Sequence, residues 1–139
     1  MGAPMKTDPV LELAERLIAA IVAGDVEAVR DIYSPNARIW HNFDQLEQTV
    51  DENLGVLRWL VRNVSSLRYE EIRRHRTDAG FVQQHVLRGT SRSGQALELP
   101  ACLICTVKDG HITRLEEYFD SAQLAPIASN PSAPLGKGD

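Results

Sequence analysis

Cysteine is scarce in this chain, with two in 139 residues. Small secreted domains often lean on a disulfide framework, so the scarcity points to a reducing, cytoplasmic setting. A surplus of positive charge is also missing. Fifteen Lys and Arg stand against nineteen Asp and Glu, for a net charge of −4 and a pI of about 5.5. Nucleic acid and anionic membrane surfaces are therefore not the expected partners, because both are held by clustered cations. No apolar run approaches the ~20 residues that span a bilayer. Residues 1–9 carry one Lys and lack the apolar centre of a signal segment. No glycine-rich phosphate loop occurs, which argues against a nucleotide cofactor. No group of His, Asp and Glu has metal-ligand spacing. Cys102 and Cys105 are three apart on an expected strand and point to opposite faces, so they neither chelate one ion nor form a redox pair. The expectation is no cofactor and no metal.

What is present reads as one α+β domain over residues 9–128, after a short segment at 1–8 and before a flexible tail at 129–139 that holds two Pro and two Gly. Apolar residues at 10, 13, 14, 17, 18 and 21 mark one face of a helix, which Ala23-Gly24 ends. Asp25 caps a second short helix, and Ser34-Pro35-Asn36 reads as a turn. Ala37 to Phe43 reads as a strand. Thr49 to Glu52 forms a capping box ahead of a long helix bearing Val50, Leu54, Leu57, Val61 and Val64. Gly55 inside that helix costs about 1 kcal/mol against Ala, which implies close packing at that point. Four strands follow, at 67–77, 81–90, 96–107 and 111–119, with a tight hairpin at Lys108-Asp109-Gly110. Asp120 caps a last helical turn. Helices ahead of an antiparallel meander make α+β.

Three stretches carry a resemblance to a known family: Gly24-Asp25 through Asn42, Gly89-Thr90 through Ser93-Gly94, and Asp109-Gly110-His111-Ile112 through Asp120. They resemble the NTF2-like superfamily over about residues 8–128. That group includes ketosteroid isomerases, SnoaL-type polyketide cyclases, scytalone dehydratases and limonene-1,2-epoxide hydrolases. The resemblance implies a cone, with N-terminal helices packed on a curved antiparallel sheet around an apolar pocket, and a homodimer.

The local match is nearest to the epoxide hydrolases, whose Tyr-x-Asn holds the attacking water. Trp40-His41-Asn42 keeps the Asn and replaces the Tyr. The general-base position of that family falls on Glu117. The positions of its Arg-x-Asp fall on Gln84 and Val86, so the protonating acid and its charged partner are absent. The isomerase base position falls on Asn42, and its oxyanion-hole Asp falls near Cys102 or Leu103. Neither mechanism transfers as it stands.

Side-chain parity on the strands supplies the rest. Leu115, Glu117 and Phe119 share a face, as do Leu99, Ala101 and Leu103. Paired, these strands make an apolar wall with one carboxylate in it. Burial in such a wall raises a carboxyl's pKa toward the range useful for proton transfer, so Glu117 is the leading catalytic candidate. The alternative has Glu117 outward or paired with Arg88 or Arg114. Asn42, sharing a face with Trp40, is the expected group for orienting a substrate oxygen or a water, unless the backbone satisfies its amide. His41 points to the other side. His85 lies on a strand with apolar residues on both faces. Facing in, it gives a His85–Glu117 acid-base pair; facing out, it is a surface or dimer residue. Trp40, Gln84, Val86, Leu99, Ala101, Leu103, Leu115 and Phe119 are the expected substrate-contacting residues.

The function these residues imply is general acid-base catalysis on a small lipophilic molecule: isomerisation, dehydration, cyclisation or hydrolysis. The alternatives are a non-catalytic pocket for a hydrophobic ligand, or an interaction domain that dimerises through Cys102, Ile104 and Tyr118 on the outer sheet face.

Overall fold

The computed structural model describes residues 7–128. The expected tail at 129–139, and all but the end of the expected segment at 1–8, lie outside the described residues. Helix α1 runs Pro9–Ala23. Asp8 caps it by accepting a hydrogen bond from the Val10 N–H at 2.9 Å, and Pro9 sits in the first turn, where a missing N–H costs nothing. Gly24 ends it at φ 70°, the left-handed conformation that glycine adopts freely. Asp25 caps α2, Val26–Ile32. Strand β1 spans Tyr33–His41 and the two-residue β2 spans Glu47–Gln48. The expected turn at Ser34-Pro35-Asn36 is therefore part of a strand. Its pairing with β6 (His111–Phe119) is interrupted between Tyr33 and Arg38, which accommodates the proline's missing donor.

Helix α3, Val50–Asn63, opens with the capping box intact in both directions. A Cβ built on Gly55 meets no atom within 4 Å, so the expected close packing there is not found. Strands β3 (Val64–Arg76), β4 (Gly80–Ser91) and β5 (Ala96–Lys108) complete the sheet with β6. The β5–β6 hairpin turns on Asp109 and Gly110 at φ 52° and 77°, as a type I′ turn requires. Asp120 caps a 3₁₀ turn, Ser121–Leu124, that leads into α4, Ala125–Ala128.

The six strands form one sheet in the order β2-β1-β6-β5-β4-β3. All pairings are antiparallel except β1 with β6, because α3 carries the chain away before the meander returns. The inner face of β4 is its odd-numbered set, Phe81, Gln83, His85 and Leu87, all buried. The inner face of β1 is likewise Ala37, Ile39 and His41. Two apolar clusters form beneath the sheet. One joins α1, α2 and α3 to β1, β5 and β6 through residues such as Leu17, Ile39 and Leu103. The other gathers Trp59, Leu87, Leu97, Leu99, Leu124 and Ile127. Tyr69 and Leu67 pack against both. Each fully buried Leu in them contributes about 1.5–3 kcal/mol. No described helix is long and apolar enough to cross a membrane.

Candidate functional site

The two clusters do not fully merge, and a cavity of about 110 Å³ lies at their seam. Its walls come from both: Leu17, Ile21 and Ile39 on one side, Trp59, Leu87 and Leu97 on the other. A space of this size is somewhat smaller than the roughly 150 Å³ cavities that admit benzene. Leu99, Leu103, Leu115, Phe119 and Glu117 all line it. Glu117 is the sole carboxylate among the lining residues.

Glu117 takes its place from a row of register partners across the sheet. His41 lies opposite Glu117, Glu117 opposite Leu103, Leu103 opposite Gln83, and Gln83 opposite Arg74. The His41 Nε2 is 3.2 Å from a Glu117 carboxylate oxygen, with the two side chains 11% and 21% exposed. With the carboxylate ionised, Nε2 carries the shared proton. In neutral His41, Nδ1 is then a bare lone pair. That atom is buried and has no hydrogen-bond partner among the described residues. Phe43 and Phe119 flank the imidazole, with ring centroids 5.9 and 6.2 Å away. Arg88 is occupied by Glu70, Glu71 and Glu98, and Arg114 by Glu47 and Glu116, so neither arginine neutralises Glu117.

Further polar groups enter the cavity wall. Asn53 donates an amide hydrogen to Gln48 at 3.2 Å, and both are buried. Tyr33 and Tyr69 line the cavity, and no described residue hydrogen-bonds to either hydroxyl. Burial drives both phenol pKa values well above the usual range, and the negative charge of Glu117 pushes the same way. Both therefore stay protonated and can donate.

Several expected site residues lie elsewhere. Asn42 does not open into the cavity. Its Nδ2 donates to the Phe119 carbonyl at 3.1 Å and its Oδ1 accepts from the Phe119 N–H at 3.0 Å. Trp40 is on the outer face of β1, edge-on to Tyr118 at 5.2 Å. His41, expected to point away, is the β1 side chain that faces in. The alternation of Arg38, exposed, with Ala37 and Ile39, buried, carried that signal. Gln84 and Val86 are also on the outer face and, with Cys102 and Tyr118, line a surface depression. The family positions that fall on them are one residue off the inward set, Gln83, His85 and Leu87. Ala101 is buried beside Leu99 and Leu103 but borders that depression rather than the cavity.

His85 faces in and is 4% exposed. The His85–Glu117 pair does not form as a hydrogen bond: His85 Nδ1 is 2.9 Å from Gln83 Nε2, and its ring meets Tyr69 edge-on at 4.6 Å. Burial holds its pKa below the ordinary value, with the charge of Arg74 acting the same way and that of Glu117 opposing. The residues that sequence reasoning missed are His41, Tyr33, Tyr69, Gln48 and Asn53. The tyrosines and amides are ordinary core positions in sequence, and only the cavity singles them out.

A family model described as a SnoaL-like domain matches residues 14–115. Among solved structures, an NTF2-like protein of unknown function from Burkholderia pseudomallei is similar at 16% identity and a TM-score of 0.76, over 88% of this chain and 100% of that one. A hypothetical protein with a ketosteroid isomerase-like fold from Catenulispora acidiphila, in complex with trimethylamine, gives 14% identity and a TM-score of 0.72, over 83% and 91%. PrhC from Penicillium brasilianum gives 13% and 0.75, over 84% and 83%. At these identities the likeness is one of fold, and the fold is the expected NTF2-like one. No curated protein matches the chain.

Proposed function

The chain belongs to the SnoaL-like domain family, and from that premise we propose that it is a cofactor-free acid-base enzyme acting on a small lipophilic molecule held in the cavity. The observation that carries this reading is the His41–Glu117 contact of 3.2 Å in a mostly apolar wall where Glu117 is the sole carboxylate. A carboxylate sharing one proton with an imidazole can take a proton at one substrate atom and return it at another. Isomerisation, dehydration and cyclisation all need that transfer. The orphaned Nδ1 of His41 supports the reading, since an unpaired buried polar atom costs about 1–3 kcal/mol and a ligand hydroxyl would relieve it. The free phenol groups of Tyr33 and Tyr69 offer donors to a substrate oxygen. Leu99, Leu103, Leu115 and Phe119 supply the apolar contact.

The outer sheet face belongs to the same proposal as a homodimer surface. Ile104 and Tyr118 are 40% and 43% exposed there, with Cys102 beside them and Trp40 packed edge-on to Tyr118.

The test is thermal-shift screening of the wild type and Glu117→Gln against a panel graded in size, from benzene-sized aromatics through terpene epoxides and polyketide-like aromatics to fatty acids and steroids, so that the size at which binding stops is read against the cavity of about 110 Å³. A ligand at 100 times its Kd adds about 2.7 kcal/mol. Ligands that stabilise both proteins and are converted only by the wild type are the expected result. Ligands bound by both and converted by neither would leave a non-catalytic binding module. No ligand at all would remove the cavity from the function.

A further inference from the structure

Behind the cavity wall, Arg74, Gln83 and His85 form a hydrogen-bond chain. Arg74 Nε is 2.8 Å from Gln83 Oε1, and Gln83 Nε2 is 2.9 Å from His85 Nδ1. Gln83 is fully buried. The chemistry of each group fixes the next. An arginine nitrogen only donates, so the amide atom facing it must be the oxygen. The other end of the amide is then NH₂, which also only donates. The His85 Nδ1 that faces it must accept, and a neutral ring whose Nδ1 accepts carries its proton on Nε2.

We propose that Arg74 and Gln83 are positioning residues that hold His85 as a neutral imidazole protonated on Nε2, so that His41 is the only imidazole sharing a proton with Glu117. The last clause rests on the acid-base reading of the cavity; the tautomer itself does not.

The lock has an electrostatic purpose. The carboxylate of Glu117 favours a proton on any nearby base and acts on His85 from β6. An imidazolium at His85 would neutralise that charge and weaken Glu117 as a base. Forming it requires a proton on Nδ1, where the Gln83 NH₂ already points. The other groups packed against His85 agree with a neutral ring. Arg74 on β3 is a repelling cation, and Tyr69 on β3 presents its ring rather than an acceptor. Glu71 and Arg73, also on β3, border the surface depression that reaches His85 and carry opposite charges. The row continues to Arg74 because β3 regains register with β4 at Arg73–Gln84 after a bulge, with Glu71 at φ 54°.

The experiment is nitrogen NMR of the histidine-labelled full chain across the ordinary histidine range, around pH 6.5. The expected result is His85 with an unprotonated Nδ1 and a protonated Nε2, titrating below that value. In Gln83→Glu the new carboxylate accepts from Nδ1 while still meeting Arg74. His85 then becomes an imidazolium, with its midpoint above the ordinary value. In Arg74→Met the amide is free to turn, and both tautomers of His85 appear. A wild-type His85 protonated on Nδ1, or charged at pH values above its ordinary midpoint, overturns the proposal. So does Gln83→Glu, if folded, with an unchanged His85 spectrum. If Gln83→Glu does not fold, the wild-type tautomer and Arg74→Met decide. Absence of any ligand in the thermal-shift screen would defeat the proposed function and leave this spectrum unaffected, so the two failures are distinct.

Discussion

Asn42 and Phe119 close on each other through both polar atoms of one amide, at 3.1 and 3.0 Å. The clamp lies one residue beyond His41 on one strand and two beyond Glu117 on the other. It therefore ties the ends of β1 and β6 where the acid-base pair sits. Asn42→Ala leaves the Phe119 N–H and C=O without these partners, and a loss of about 1–3 kcal/mol is expected in urea unfolding. Asn42→Asp keeps an acceptor but sets a carboxylate against the Phe119 carbonyl, and its expected loss is at least as large. A loss within experimental error in both would show that the clamp does not hold the strand ends.

Gly55→Ala is expected to stabilise the protein. The site is exposed in mid-helix and a Cβ meets nothing within 4 Å. The gain is about 0.5–1 kcal/mol from helix propensity, read as a rise of a few degrees in Tm. Gly89→Ala is the control of opposite sign, because its Cβ would lie 2.3 Å from Val64 Cγ1 and 3.1 Å from the Ser65 carbonyl.

Much of the fold was legible because several local signals agreed at each element. The capping box at Thr49, the helical stripes and the Asp109-Gly110 turn each rest on short-range physics, and each formed. The carboxylate wall was legible for the same reason: the meander's hairpins set register, and register sets which side chains share a face. What was misread is which face of β1 turns inward. The alternation of Ala37, Arg38 and Ile39 puts His41 on the side of Ile39, and the parallel pairing with β6, a long-range contact, sets that side against Glu117. The resemblance to Tyr-x-Asn favoured the wrong side. Gln84 and Val86 failed similarly, since one residue of register exchanges the two faces of a strand. Gly55 shows the limit of propensity arguments: a helical glycine is compatible with close packing and with none.

The outer face predicts an oligomer. Ile104 and Tyr118 are 40% and 43% exposed on neighbouring strands, with Trp40 packed edge-on to Tyr118. Light scattering is expected to give a dimer for the wild type and a folded monomer for Ile104→Glu. A monomeric wild type at concentrations well above micromolar would remove the dimer from the proposal.

His85 predicts a pH dependence with a definite sign. Burial, with Arg74, holds its folded pKa below the ordinary value of about 6.5 that applies to the unfolded chain. Below that value the unfolded chain binds the extra proton first, so its contribution to stability is intact above about pH 6.5 and is lost as pH falls through the folded pKa. The slope from this one group cannot exceed about 1.4 kcal/mol per pH unit. His85→Gln keeps an acceptor for Gln83 and does not titrate. Its stability curve between neutral and mildly acidic pH is expected to be flatter than that of the wild type, and parallel curves would assign the acid sensitivity to other groups.

The His41–Glu117 pair is expected to cost the fold stability rather than supply it. Each side chain is largely desolvated, and His41 Nδ1 has no partner among the described residues. Replacing both members of a buried hydrogen-bonded pair by apolar groups of the same shape can be nearly neutral or stabilising. His41→Phe/Glu117→Leu is therefore expected to match or exceed the wild type in urea unfolding. His41→Phe alone leaves the carboxylate unpaired in an apolar wall and is expected to be the least stable of the set. The difference between the double change and the sum of the single ones measures the coupling. A double variant clearly weaker than the wild type would make the pair a structural element, and its presence would then be no argument for catalysis. A double variant that is stable and inert toward every ligand the wild type converts would mean the chain keeps a costly pair for its chemistry.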